Sequence, residues 1–482
     1  MTATDLIDRR HFYIDGSWAP PAEQHDAFVI NPSTEQPCAV ISLGSQTDTD
    51  AAVAAAGAAF DSWSRTPVPS RVALLVKLLE VYERRSSEMA KAISLEMGAP
   101  IDLALRSQVS AGSWHIGNTI AALEAFDFDR PLSEGAPGDR ILYEPVGVCA
   151  MITPWNWPMN QVTLKVAPAL GVGCTLVLKP SEVAPLSSSL FAEMVDEAGF
   201  PPGVFNLVNG DGVGVGSQLS AHPDVDMVSF TGSNRAGVAI THNAAESVKR
   251  VALELGGKGA NIVFADADDA AVERGVRHCF NNSGQSCNAP TRMLVERSVY
   301  DAAVVTAQRV ANEMTVDVAS KNGRHIGPVV SQAQFDKIQG LIESGQREGA
   351  RLVAGGLGRP DGLEVGYFVR PTVFADVSPE MTISRTEIFG PVLSITPFDT
   401  EDEAIVMAND TSFGLTNYVQ TTDIDRARNV AKRLRSGMVE MNGSSRSAGS
   451  PFGGYRQSGN GREGGTWGLE EFLEVKAVSG WA

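Results

Sequence analysis

Val146-Gly147-Val148-Cys149-Ala150-Met151-Ile152 is a run of small and apolar residues with no charge and no polar alternation. Such a run reads as a strand covered on both faces, as in a parallel sheet under helices. Similar short runs follow: Thr175-Leu176-Val177-Leu178, Val204-Phe205-Asn206-Leu207-Val208, Met227-Val228-Ser229-Phe230 and Val251-Ala252-Leu253-Glu254-Leu255. Helical stretches over 186–198, 213–221 and 236–246 separate them. This alternation predicts a parallel sheet with crossover helices. After Lys258 a second α/β set begins, with Asn261-Ile262-Val263-Phe264, Thr291-Arg292-Met293-Leu294-Val295 and Val392-Leu393-Ser394-Ile395. Upstream, 47–125 reads as mostly helical. Residues 48–60 are alanine-rich, and 71–97 place apolar and charged residues at helical spacing. The Gly-, Pro- and Asp-rich stretch 126–141 interrupts this lobe, and 469–481 reads as a β-compatible tail.

The 482 residues suffice for about three domain-sized lobes at about 150 residues each. A net charge of −18 argues against a general nucleic-acid surface, which needs basic patches. It leaves room for a local anion site built from backbone N–H groups and a lysine. The five cysteines, Cys38, Cys149, Cys174, Cys279 and Cys287, are scattered, with no C-x-x-C pair. That argues against a disulfide framework and a structural zinc, and no metal is expected. The first residues are polar and acidic, and no apolar run approaches a membrane span. A cytoplasmic location and no membrane partner are the expectation.

One of those cysteines stands apart. Asn282-Ser283-Gly284-Gln285-Ser286-Cys287-Asn288 sets Cys287 in a polar, glycine-containing segment, where a thiol kept for packing would prefer apolar neighbours. Upstream, Leu253-Glu254-Leu255-Gly256-Gly257-Lys258 puts a carboxylate on an apolar strand running into paired glycines. A thiol and an isolated carboxylate suggest a covalent acyl-enzyme and a base to hydrolyse it. No histidine falls within these motifs, so hydrolase readings built on Cys/His or Ser/His/Asp lack a nearby base.

Glu254-Leu255-Gly256-Gly257-Lys258 and Gly284-Gln285-Ser286-Cys287 resemble the two signature segments of the NAD(P)-dependent aldehyde dehydrogenase superfamily. So, in order, do Thr153-Pro154-Trp155-Asn156-Trp157-Pro158, Lys179-Pro180-Ser181-Glu182, Phe230-Thr231-Gly232-Ser233, Glu387-Ile388-Phe389-Gly390-Pro391 and Pro451-Phe452-Gly453-Gly454-Tyr455. The resemblance covers nearly the whole chain. It implies an α/β fold of two Rossmann-like parallel-sheet lobes plus a small β oligomerisation element. The dinucleotide-binding domain would be 1–125 with 146–256, the catalytic domain 257–453, and the oligomerisation segments 126–145 and 469–482. It further implies a homodimer or homotetramer, and Val475, Val478 and Trp481 are expected to give the tail an apolar face.

The resemblance also names roles. Cys287 would add to an aldehyde, giving a thiohemiacetal whose oxyanion is held by the Asn156 side chain and the Cys287 N–H. Its collapse would pass hydride to the nicotinamide and leave a thioester. Glu254 would activate the hydrolytic water. Lys165 and Glu474 would relay protons, although Lys165 reads equally as a helix-surface charge. NAD would contact Ile152, Thr153, Pro154, Trp155, Lys179, Ser181, Glu182, Phe230, Thr231, Gly232, Ser233, Leu255, Gly256, Glu387 and Phe389. Its pyrophosphate would lie at Gly232 and Ser233, at a helix N-terminus. The glycine-rich turn at 210–216 supplies Gly212 and Gly216 as cofactor neighbours, but the phosphate is not assigned to it. Glu182 would favour ribose hydroxyls over a 2′-phosphate, hence NAD over NADP. Trp157, Asn160, Gln161, Leu164, Ser286, Asn288 and Arg446 would line the substrate tunnel, with Arg446 able to pair with a carboxylate or stand as a solvated loop charge. The alternatives are a CoA-acylating semialdehyde dehydrogenase, a cysteine-dependent esterase, and a non-enzymatic binding protein on the same scaffold.

Overall fold

The structure is a computed structural model and describes residues 6–481. Two seven-stranded sheets organise it. Across the first, the order is Arg250–Glu254, Met227–Thr231, Val148–Ile152, Thr175–Lys179, Phe205–Leu207, Phe12–Ile14 and Ser17–Ala19. The first five strands are mutually parallel, and the last two join by antiparallel pairings, so Phe12–Ile14 alone runs against the rest. Val148–Ile152, Thr175–Lys179 and Met227–Thr231 are buried along their whole length, because helices cover both faces. That double cover is why these strands carry no polar alternation.

The second sheet runs Arg351–Ala354, Thr372–Ala375, Val392–Phe398, Arg292–Glu296, Ala260–Val263, Thr416–Gln420 and Met438–Met441. It is parallel except for its first pair. It too is packed on both faces.

Residues 71–97 form two helices rather than one: Val68–Arg84 and Ser86–Met97 break at Arg85. The stretch 213–221 is a π-helical turn, Gly212–Gly216, running into the short helix Ser217–Ala221. Within residues 126–145 lie two strands, in keeping with the small β element expected there. Asp129–Ser133 and Ala136–Pro145 make a third sheet with the tail strand Leu473–Ser479, which is antiparallel to Ala136–Pro145. The tail segment opens with the end of a helix, Gly465–Glu470. Its apolar face is smaller than the sequence suggests. Strand side chains alternate, so Val478 shares a face with Glu474 and Lys476, opposite Val475. Among the described residues, no helix is long and apolar enough to cross a membrane.

Candidate active site

Parallel strands end together, and their carboxyl ends carry the turns named in the sequence. Ile152 sits beside Lys179 in the register, and the Thr153 N–H donates to the Lys179 carbonyl at 3.1 Å. Phe230 lies between Ile152 and Leu253, and Thr231 beside Glu254. The next residues, Gly232 and Ser233, open the helix Asn234–Ala245, where Ser233 Oγ caps the Ala236 N–H. The Thr231 hydroxyl is buried without a partner.

Two glycines bring the sheet end against Cys287. A Cβ on Gly257 would stand 2.4 Å from the Cys287 carbonyl. Gly284 has φ +71°, and a Cβ there would meet the Gly390 carbonyl at 2.1 Å. The loop carrying Cys287 is thus wedged between the Glu254–Lys258 and Glu387–Pro391 segments. It is also strained: Asn282 and Ser283 are consecutive left-handed residues, at φ 52° and 57°. Side-chain bonds hold them. Ser283 Oγ donates to the Gly327 carbonyl at 2.8 Å, and Asn282 Nδ2 to the Asn156 carbonyl at 2.9 Å.

Two cavities meet at this loop. A cleft of about 210 Å³ is lined by Pro154, Trp155, Asn156, Thr231, Gly232, Ser233, Leu255, Gly256, Glu387 and Phe389. Glu387 Oε1 accepts from the Gly257 N–H at 2.8 Å, and Phe389 stands edge-on to Trp155 at 5.4 Å. Gln334 and Lys337 also line this cleft and were not signalled by any motif. Lys179, Ser181 and Glu182 lie beyond its lining, with Lys179 Nζ 3.5 Å from Glu182 Oε2. Gly212 and Gly216 do not line it either; they stand in the turn after Phe205–Leu207, where Asp211 caps Gly214.

The second cavity is a tunnel of about 310 Å³. Trp157, Asn160, Gln161, Leu164, Ser286, Asn288 and Arg446 all line it. Trp157 Nε1 donates to Ser286 Oγ at 2.7 Å. Its other wall comes from Trp114, His115 and Asn118 on the helix Ser110–Ala125, and from His278 and Asn281. Trp114, His115 and Asn118 sit in ordinary helical text far from any motif, and His278 and Asn281 lie just before the Cys287 segment without a pattern of their own. Cys287 is the residue shared by tunnel and cleft. Its thiol is pushed up to about 12, first by burial and then by the nearby carboxylates of Glu387 and Glu254; Arg446 opposes this. The other four cysteines are buried.

Asn156 is buried, with Nδ2 donating to the Gln285 carbonyl at 3.1 Å. Glu254 is buried with neither carboxyl oxygen hydrogen-bonded. Burial and the neighbouring Glu463 hold its carboxyl well above the usual range, against the pull of Lys165. It faces a small cavity of about 10 Å³ with Lys165, Glu463 and Glu471, room for about one water. Lys165 is no helix-surface charge: it is buried and ion-paired with Glu463.

Glu474 is a correction. It is exposed on the tail strand and pairs with Arg250 at 2.8 Å, away from this cavity. The carboxylate that meets Lys165 is Glu463, eleven residues earlier in Gly461-Arg462-Glu463-Gly464-Gly465. The glycines around it are the signal that could have found it, since they let backbone close over a buried ion pair. Arg446 is also bound: its Nε is 3.2 Å from Glu440 Oε1. Among the described residues no cluster of His, Cys, Asp and Glu could hold a metal ion.

Fold and cavities together are those of a two-lobed α/β enzyme. The family model for the aldehyde dehydrogenase family matches residues 18–478. A 3-succinoylsemialdehyde-pyridine dehydrogenase from a Pseudomonas species is 54% identical over 99% of both chains. The crystal structure of an aldehyde dehydrogenase from Bartonella henselae is 60% identical, with TM-score 0.98 over 99% of this chain and 100% of that one. A cysteine-to-alanine variant of aldehyde dehydrogenase C from Pseudomonas syringae, in complex with NAD+ and octanal, is 49% identical, with TM-score 0.96 over 98% and 97%. The chain belongs to the aldehyde dehydrogenase family.

Proposed function

We propose that this protein oxidises an aldehyde to the carboxylic acid, with NAD as oxidant and water as the final nucleophile, through a covalent adduct on Cys287. The observation that carries this is the position of Cys287 at the junction of a tunnel and a second cleft. A carbon bound to its sulfur faces a ligand in either.

The cleft that shares Cys287 with the tunnel fits the pyrophosphate and nicotinamide half of a dinucleotide. It has a helix N-terminus at Ser233, a buried hydroxyl without a partner on Thr231, and the Glu387 carboxylate in its wall. Gly232 and Ser233 would hold the pyrophosphate, Lys179 and Glu182 the adenosine ribose, and Glu387 the nicotinamide ribose, with Phe389 packing beside it. NAD, when bound, supplies the two-electron acceptor. Complexes of NAD+ with the Pseudomonas syringae enzyme and with a betaine aldehyde dehydrogenase from Staphylococcus aureus support this choice.

The remaining work belongs to the chain. The Cys287 thiol gives its proton to water in the tunnel as Sγ adds to the carbonyl carbon. Asn156 Nδ2 and the Cys287 N–H hold the oxygen, and neither carries a charge that would trap it. After oxidation the carbon is a thioester on Cys287. Glu254 takes a proton from water as the water oxygen attacks the thioester carbon; the carbon–sulfur bond breaks, and the acid leaves as carboxylate after giving its proton to the thiolate. A carboxyl held above its usual range is better matched to this proton. Lys165 and Glu463 pass the proton outward. A CoA-acylating enzyme would need no such base, so Glu254 favours water.

We also propose a closed homo-oligomer joined through the third sheet, and preference for NAD over NADP through Glu182. The deciding experiment is NADH formation across a panel of aldehydes, with and without CoA. Turnover without CoA is expected. Cys287→Ala should abolish it while NAD binding persists; normal turnover in that variant would refute the covalent route.

A further inference from the structure

Among the described residues, Phe389 is the only aromatic with a left-handed backbone, at φ 61°. A bulky side chain disfavours this conformation, which persists only where the surroundings over-determine it. Glycine would adopt it freely. The position keeps a ring instead. That ring stands edge-on to Trp155 at 5.4 Å, in the wall of the cleft that Cys287 shares.

Both ends of this segment are anchored. Glu387 Oε1 accepts from the Gly257 N–H at 2.8 Å, and a Cβ on Gly256 would stand 2.4 Å from Glu387 Oε2. Gly390 lies so close to the helix Gln332–Arg347 that a Cβ there would meet Ile338 Cδ1 at 2.4 Å. Between these anchors one side chain grips the backbone. Gln334 Nε2 donates to the Phe389 carbonyl at 2.9 Å and to the Ile388 carbonyl at 3.2 Å. Only the NH₂ end of an amide can face two carbonyls, so the orientation of Gln334 is fixed by its chemistry.

Those two carbonyls belong to the two rigid peptide planes on either side of the Phe389 Cα. The rotations between the planes are the φ and ψ of Phe389. One nitrogen bound to both oxygens therefore clamps both dihedrals. Gln334 is itself held in place. Its N–H donates to Ser331 Oγ at 3.3 Å, which caps the helix, and Ile338 and Ile342 of that helix share a buried cluster with Ile388.

We infer that Gln334 is the positioning residue that holds Phe389 left-handed, and so sets its ring against the nicotinamide half of the cofactor. This rests on the reading above that the cleft takes that half of NAD. Gln334 acts through the Phe389 backbone. Without the amide, Phe389 relaxes toward negative φ and carries its ring away from Trp155, opening the cleft wall.

The test is the dissociation constant of NAD and of ADP, by titration calorimetry, for the unaltered protein, Gln334→Met, Phe389→Gly and the double variant. Methionine is about as long as glutamine and suits a helix, but donates nothing. ADP lacks the nicotinamide and its ribose, so it reports the adenosine half alone. Gln334→Met should weaken NAD by about tenfold, because the wall is no longer preorganised, and leave ADP within about twofold. Glycine adopts φ 61° without support, so adding Gln334→Met to Phe389→Gly should change NAD by less than about twofold. Unchanged NAD affinity in Gln334→Met would overturn the inference. Equal losses of NAD and ADP would also overturn it, since they mark a general loosening. So would a loss that persists in Phe389→Gly, since it marks a direct contact between Gln334 and NAD. If the unaltered protein binds neither nucleotide, the cofactor reading of the cleft falls, and the inference with it.

Discussion

Asn282 Nδ2 donates to the backbone carbonyl of Asn156 at 2.9 Å, tying the loop that carries Cys287 to the turn that carries Asn156. Gln108 completes the link. Its Nε2 is 3.0 Å from Asn282 Oδ1 and 3.4 Å from the same Asn156 carbonyl. Gln108 lies in a π-helical stretch, Ala104–Val109, whose irregular winding aims this buried side chain into the centre. Asn282→Gly keeps the left-handed backbone but removes the amide. We expect kcat to fall by about tenfold to a hundredfold, because small misplacement of reacting groups is costly. The NAD dissociation constant, read by fluorescence titration, should stay unchanged. A normal rate of first-turnover NADH formation in Asn282→Gly would remove Asn282 from any positioning role.

Glu254→Gln should separate the two halves of the reaction. The glutamine fills the same buried space but takes no proton from water. Rapid mixing should give one equivalent of NADH per active site, followed by steady turnover lower by about a hundredfold or more. Equal loss of burst and steady state would mean that Glu254 acts before the thioester forms.

Much of this architecture is written locally. Uncharged runs such as that at 146–152 betray strands covered on both faces, and the glycines beside Glu254 and Cys287 mark where backbone must approach backbone. The strand Phe12–Ile14 is different. It extends the first sheet by a single antiparallel pairing, Leu207 with Tyr13, that no local pattern announces. The tunnel wall of Trp114, His115 and His278 is likewise set by how helices dock. Glu474 was misplaced for a related reason. The text Glu474-Val475-Lys476 looks like a motif, but whether a carboxylate faces the centre depends on strand parity and on what closes over it. Glu463 is buried, and Glu474 is not.

That contrast predicts a pair of results. Lys165→Met or Glu463→Gln should lower steady turnover by about tenfold or more, with the first-turnover burst retained, since each removes half of the buried pair beside Glu254. Glu474→Gln breaks only an exposed pair with Arg250, worth about 1 kcal/mol or less. Its turnover should match the unaltered enzyme within about twofold. Glu474→Gln acting like Glu463→Gln would reinstate the tail carboxylate as the relay.

The Cys287 thiol should betray its surroundings by its alkylation profile. Only the thiolate reacts, and its fraction rises with pH until the pKa is passed. With the pKa raised from 9.0 to about 12, the reactive fraction is low at neutral pH and keeps climbing through pH 10. The rate of iodoacetamide reaction in the free enzyme should therefore rise about tenfold per pH unit between pH 7 and pH 10, without levelling. A plateau below pH 9 would mean that the site stabilises the thiolate instead.

The last prediction concerns assembly. The strand Leu473–Ser479 has one partner, Ala136–Pro145, so one edge of the third sheet is unpaired in the single chain. A three-stranded sheet with an open edge and exposed Leu132, Val475 and Trp481 is an aggregation liability on its own. A second copy placed edge to edge would close it, giving a dimer or a dimer of dimers. Val475 points away from the Glu474 and Lys476 face, so Val475→Lys puts a charge on the other face of this edge strand, away from Glu254, Lys165 and Cys287. Light scattering should show a smaller particle or onset of precipitation for Val475→Lys. Deleting the residues after Glu470 should do so more severely, because Phe472 and Leu473 are buried in the first lobe's core and leave with it. A soluble, fully active monomer after that deletion would overturn the assembly proposed for this sheet.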